Sequence, residues 1–289
     1  MYQIGILQLT QHLDDAVQGF KAGLTSKNIE AEFHYCNADG NIHELPKLAA
    51  KLAEKKVDLI FACSTPSALQ AVKLEGSIPV VFTPVFDPVG AGLVKTMEAP
   101  GGKATGVSGM VKAQDKLSFL QELLPEAKNI GILYHSMDTN ALVEVKNLME
   151  HHENPLYLIP IPVQNPEELS NLPDLLAENV DALFLPIGKI IEENFASIIY
   201  YTDSISLPVI ASHAPNVSAG AIGALVANHY QLGVDCAEKA SQILSGTAPS
   251  SIPVDVVKQP EVLLNEFAAQ NLDIEVSEEL RKKAKEIFE

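Results

Sequence analysis

The run Cys63-Ser64-Thr65-Pro66-Ser67 sets hydroxyl side chains just before a proline suited to the first turn of a helix. A hydroxyl at a helix start followed by Pro leaves backbone N–H groups free to face an anion, so this run suits a carboxylate. A purely local reading is also open, in which Thr65 only caps its own helix. The stretch from Phe82 to Val94 joins turn formers to an aromatic, Phe86, and a carboxylate, Asp87. Phe86 offers a stacking face for a planar ligand. Asp87 stands before Pro88 and reads either as a turn residue or as a ligand contact. The glycines of this stretch do not follow the spacing of a dinucleotide or nucleoside triphosphate loop.

Catalytic constellations are weak. There is no Gly-x-Ser-x-Gly elbow, no His-Glu-x-x-His and no Cys-x-x-Cys. Nucleophilic, zinc-protease and thiol-redox chemistries therefore lack their usual local geometry. His151-His152-Glu153 imitates a metal cluster, but adjacent residues at a helix end point in different directions and read as a solvated terminus. No metal and no cofactor is expected. His12, His135 and His213 fall near expected strand ends, where each either touches a ligand or makes a turn or core hydrogen bond. Cys36, Cys63 and Cys236 are far apart in apolar or helical surroundings and read as buried small hydrophobes.

The elements that must position these residues repeat once along the chain. Ile4-Gly5-Ile6-Leu7 recurs as Ile130-Gly131-Ile132-Leu133, and Val57-Asp58-Leu59-Ile60-Phe61 as Val180-Asp181-Ala182-Leu183-Phe184. Ile78-Pro79-Val80-Val81 returns as Leu207-Pro208-Val209-Ile210 at a similar distance. These apolar runs are continuous, as in strands of a parallel sheet covered by helices on both faces. Helical spacing lies between them at 14–27, 42–55 and 67–73, and again at 141–151, 167–178 and 190–202. Each copy therefore reads as a small doubly wound α/β domain, and the chain as two parallel-sheet lobes joined by a multi-crossover hinge. The expected boundaries are 1–113 plus about 218–246 for the first lobe and 114–217 plus about 247–289 for the second. Late elements are expected at 221–226, at 230–244, as a strand at 262–264, and as a charged final helix at 277–288. Closing a hinge of this kind on a ligand is a standard switching motion.

With 289 residues, 47% of them hydrophobic, the chain can bury a sizeable core. It carries 20 Lys and Arg against 37 Asp and Glu, a formal charge of −17, which repels a phosphate backbone and argues against nucleic acid as a partner. No run approaches a membrane span. The start MYQIGILQLT lacks a basic, then apolar, export segment, so any such signal is expected to have been removed or never to have existed.

Ligands of open α/β sheets sit beyond the carboxyl ends of the strands. That rule singles out Gln8, Thr10, Ser64, Thr65, Thr83, Phe86 and Asp87 in the first copy. In the second it selects the loop from His135 to Asn140, then Gly188 and Lys189, then Ser212 and His213.

The chain resembles the tryptophan-type ABC transporter substrate-binding proteins, of the type I periplasmic binding protein kind. The similarity runs over essentially the whole chain. It is carried by Gly5 to Leu9 with His12, by Thr65-Pro66-Ser67-Ala68, and by Asp87 to Val94. Pro100-Gly101-Gly102 with Thr105 to Ser108, Tyr230 to Gly233, and Ile252-Pro253-Val254 add to it. The resemblance implies a periplasmic or lipid-anchored receptor that delivers an aromatic or apolar amino acid, or a related carboxylate, to a permease driven by an ATPase. Its signal segment is expected to be absent from this chain, and a lipid anchor would be its only link to a membrane. It also implies that Ser64, Thr65 and Thr83 bind a carboxylate, that Gln8, Phe86, Asp87 and Ser108 line the same lobe, and that Asn140, Gly188 and Lys189 face them. One departure stands out. Where the family has a Pro-Thr-Asp-Asn turn, this chain reads Pro186-Ile187-Gly188-Lys189. A ligand ammonium would then need another acid such as Asp138 or Asp87, or the ligand has none. Two competing readings are a sensor of the same fold that signals to a regulatory partner, and an enzyme of similar architecture. The absent helix-turn-helix argues against a repressor, and the lack of a plausible acid–base pair argues against the enzyme.

Overall fold

The computed structural model describes residues 1–151, 155–176 and 180–289, which divide into two compact units. The first comprises 1–110 and 227–259, the second 111–226 and 260–289, so the chain passes from one to the other three times.

Five parallel strands form the first unit's sheet: β1 (Tyr2–Gln8), β2 (Ala31–Asn37), β3 (Leu59–Cys63), β4 (Val80–Thr83) and β5 (Ala104–Gly106), in the order β2-β1-β3-β4-β5. The apolar runs seen in the sequence are these strands, and β3 and β4 are buried end to end. Register places Gln8 level with Cys63, and Cys63 level with Thr83, so their ends line up across the sheet. Helices Asp14–Ser26 and His229–Leu244 pack without room for side chains between them. A Cβ on Gly19 would lie 1.9 Å from the Tyr230 carbonyl oxygen, and one on Gly233 2.0 Å from that of Ala16. Phe20, on the buried side of the first of these helices, stacks on Phe61 of β3 with ring centroids 4.1 Å apart.

The second unit repeats the topology. Its strands are β6 (Asn129–His135), β7 (Tyr157–Val163), β8 (Ala182–Leu185), β9 (Val209–Ala211), β10 (Gly223–Val226), β11 (Glu261–Asn265) and β12 (Ala284–Phe288). The order is β12-β11-β10-β9-β8-β6-β7, whose last five members match the first sheet. Two edge strands are added: β11 runs antiparallel to β10, and β12 parallel to β11. The two copies predicted from the sequence are therefore present, with the second sheet mixed at one edge.

Four expectations change. The final segment is a short helix, Glu278–Lys283, followed by β12, because residues 284–288 pair in parallel with β11, with a register shift after Val262. Residues 247–259 group with the first unit. There Thr105 Oγ1 donates to the Ile252 carbonyl at 2.7 Å, Ser108 N–H donates to that of Asp255 at 2.7 Å, and buried Lys239 reaches the Pro253 carbonyl at 2.6 Å. Residues 218–226 group with the second unit because β10 pairs there on both sides. The expected helix at 167–178 is a 3-10 turn, Pro166–Asn171, and a short helix, Leu172–Leu176; 177–179 lie outside the described residues, as do His152 and Glu153 of the His-His-Glu run. No helix among the described residues is long and apolar enough to cross a membrane.

Candidate functional site

At the carboxyl edge of the first sheet the chain leaves β3 through Ser64, whose φ of 96° and ψ of 156° lie in a region that side chains other than hydrogen rarely adopt. Such strain costs about 1–3 kcal/mol and persists only where surrounding contacts impose it. Here Ser64 N–H donates to the Thr83 carbonyl at 3.0 Å, and Ser64 Oγ lies 3.0 Å from Ser67 Oγ and accepts from Ser67 N–H at 3.4 Å. Ser64, rather than Thr65, is the cap of helix Thr65–Lys73, with Pro66 in the first turn. Thr65 is half-buried at its first position.

Thr83, whose carbonyl accepts from this cap, is fully buried, and its Oγ1 finds no hydrogen-bond partner of normal geometry among the described residues. The Cys236 thiol neighbours it and itself donates to the Phe82 carbonyl at 3.4 Å. Burial pushes the thiols of Cys63 and Cys236 well up from their ordinary value, so both stay protonated and unreactive. A buried hydroxyl without a strong partner is uncommon and asks for an explanation.

Gln8 is also fully buried, but its amide is already engaged. Nε2 donates to Asp14 Oδ1 at 3.0 Å and Oε1 accepts from the Tyr35 hydroxyl at 2.6 Å. Burial, then the nearby Asp14 carboxylate, pushes Tyr35 up to about 12. Tyr35 and Asp14 were not marked by the sequence. They come from β2 and the helix at 14–26, and only the fold joins them to Gln8. Thr10 is half-buried just before a 3-10 turn, Gln11–Leu13, and caps nothing with its side chain; His12 is exposed in that turn.

Asp87 is spent locally. Its Oδ1 accepts from Gly90 N–H at 2.7 Å, and a Cβ on Gly90 would sit 2.0 Å from Oδ2, so the turn needs glycine. Phe86 stays half-buried, and its carbonyl accepts from Ser108 Oγ at 3.0 Å. Ser108 Oγ also accepts from Met110 N–H at 3.2 Å, which makes Ser108 a fully buried brace between the 86 and 110 segments.

In the second unit, β6 ends at His135, and Asp138 caps helix Thr139–Met149 by accepting from Asn140 and Ala141 N–H at 3.0 and 3.2 Å. The other oxygen of Asp138 accepts from Lys189 N–H at 3.3 Å, tying this loop to the Gly188–Lys189 turn. Asn140 and Lys189 are exposed, and Lys189 Nζ stands 3.7 Å from Glu193 in a solvated pair. Ser212, one residue past β9, is buried and donates to Glu144 Oε1 at 2.6 Å. His213 follows as the half-buried cap position of Ala214–Ser218. The structure thus gathers Gln8, Ser64, Thr65, Thr83, Phe86 and Ser108 at one edge of the first sheet, and His135, Asp138, Gly188, Lys189 and Ser212 at the matching edge of the second. Asp87 and Gln8 are committed to internal bonds. Among the described residues no three His, Cys, Asp or Glu gather closely enough to hold a metal ion.

Comparison with known proteins identifies the family and the fold. The family model described as ABC transporter substrate binding protein matches residues 3–288. A "Tyrosine-binding protein" of Clostridioides difficile is 32% identical over 281 residues, covering 94% of this chain and 81% of that protein. The ligand-free, open structure of a substrate binding protein with adhesive properties from Clostridium difficile matches with a TM-score of 0.90 at 30% identity, over 100% of this chain and 99% of that one. An ABC domain from Streptococcus pneumonia in complex with L-Trp matches with a TM-score of 0.79 at 27% identity, over 99% of both chains. The chain belongs to the ABC transporter substrate binding protein family.

Proposed function

We propose that this protein captures an aromatic amino acid, or a closely related carboxylate, outside the cytoplasm and delivers it to the permease of an ABC importer. The ligand is held between the strand-end loops of the two units, which close on it without chemical change. One observation carries the reading: strained Ser64, at the start of helix Thr65–Lys73, donates its N–H to the carbonyl of Thr83, whose buried hydroxyl lacks a strong partner. A carboxylate set against the helix start would accept from the Thr65 N–H and from Thr83 Oγ1, and would give the strain a purpose. The relatives described as tyrosine-binding and as holding L-Trp support an aromatic cargo.

The ligand ammonium needs a counter-charge that Gly188 and Lys189 cannot supply. Asp138 is the suitable acid, since one of its oxygens already lies 3.4 Å from where a Cβ on Gly188 would stand. Isothermal titration against L-tyrosine, L-tryptophan and L-phenylalanine, with the deaminated propionates of each, tests the reading. Binding of at least one amino acid with a rise in melting temperature is expected. No heat and no shift across amino acids and small carboxylates overturns it.

A further inference from the structure

Lys116 and Glu144 form an ion pair inside the second unit, with side chains only 4% and 3% exposed. Lys116 lies on helix Ala113–Leu123, which begins just after the chain enters this unit at Val111, and Glu144 on helix Thr139–Met149. Burying two charges sacrifices hydration that their attraction does not fully return unless further polar groups share them. Here the sharing groups belong to two strand-end loops. Ile187 N–H donates to Glu144 Oε2 at 3.3 Å, and Ser212 Oγ donates to Oε1 at 2.6 Å while standing 3.3 Å from Lys116 Nζ. The Lys116 ammonium also lies 5.7 Å from the centroid of the Phe184 ring on β8.

An apolar pair of the same volume often fills such a core about as stably. It could not accept hydrogen bonds from both loops. The turn at 187–189 is thereby held twice from one helix, by Glu144 at Ile187 and by Asp138 at Lys189. We infer that Lys116 and Glu144 are positioning residues: Glu144 presets the Ile187–Lys189 turn and Ser212 for the ligand, and Lys116 supplies the charge that holds Glu144 in place. That these loops meet ligand rests on the function proposed above; that the pair orders them does not.

The test separates the two. The double variant Lys116→Met with Glu144→Leu removes both charges together, and its melting temperature is expected within about 3 °C of the parent. Amide hydrogen exchange at Ile187 to Lys189 is expected to rise about ten-fold or more while β6 keeps its protection, and the Kd for L-tyrosine or L-tryptophan to rise by a similar factor. Lys116→Arg, which keeps the charge and the acceptor, should restore parent-like exchange. Parent-like exchange at 187–189 in a folded double variant overturns the inference. If the double variant does not fold, Lys116→Arg is compared with Glu144→Gln, and equal exchange in both overturns it. A parent that binds neither amino acid sinks the proposed function and leaves the exchange result to decide the positioning role.

Discussion

Asp58 and Asp181 hold equivalent places in the two units: each follows a valine at the start of a central strand and takes backbone N–H groups from the start of its neighbour. Asp58 Oδ2 accepts from Gln3 at 2.7 Å, and Asp181 Oδ2 from Lys128 and Asn129 at 2.8 Å each. In return Asp58 N–H donates to the Gln3 carbonyl and Asp181 N–H to that of Asn129. The repeated Val-Asp is thus a clamp that sets the register of β1 with β3 and of β6 with β8.

The two backbone donors hold the Asp181 carboxyl below its ordinary range. A depressed carboxyl contributes stability that is present above the usual carboxylate pKa and is lost as pH falls through the folded value. Asp181→Asn is therefore expected to lower the melting temperature at pH 7 by about 2–4 °C, given its exposure. The gap between variant and parent should close toward pH 3. Thermal unfolding from pH 7 to pH 3 measures it, and a gap that does not change with pH contradicts the clamp.

Tyr35 has the opposite sign. Its phenol is pushed up to about 12 by burial and by Asp14, so the contribution of its neutral form is complete below pH 10 and lost as pH rises toward 12. Ultraviolet titration of the seven tyrosines should show one late step, and Tyr35→Phe should remove it. The same change leaves Gln8 Oε1 buried without its donor and is expected to cost about 1–2 kcal/mol in chemical denaturation.

Ser64 carries backbone strain that glycine would not. Ser64→Gly is expected to raise stability by about 1 kcal/mol, the relief outweighing a cap loss of a few tenths. Ser64→Ala keeps the strain, loses the cap, and should lower stability by about 1 kcal/mol. Both should weaken L-tyrosine binding in calorimetry if the hydroxyl meets the carboxylate.

Gly233→Ala tests the helix crossing of the first unit. With 2.0 Å between a new Cβ and the Ala16 carbonyl oxygen, the helices must part, at a cost of about 3 kcal/mol in urea unfolding. A variant as stable as the parent would show that the crossing can relax.

Asp138→Asn keeps a good helix cap but removes the charge. Affinity for L-tyrosine should fall about ten-fold, while that for 3-(4-hydroxyphenyl)propionate, which lacks the ammonium, should stay within about two-fold. Equal losses for both ligands would take the counter-charge away from Asp138.

The apolar runs at 4–7, 59–61 and 80–81 and their echoes at 130–133, 182–184 and 209–210 were readable as strands because a parallel strand buried on both faces is written in consecutive residues. The duplication, the α/β class and the strand-end location of Ser64, Thr83, Gly188 and Ser212 follow from that local pattern and from the rule for open sheets. What the chain could not reveal one segment at a time is which partners those residues find. Residues 284–288 look helical alone and become β12 only because β11 offers a free edge. Asp87 is claimed by Gly90, Gln8 by Tyr35 and Asp14, and Ser212 by Glu144 and Lys116. Hydrogen bonds and ion pairs act over about 3 Å, and in most of these pairs many residues of chain intervene, so only folding determines which groups meet.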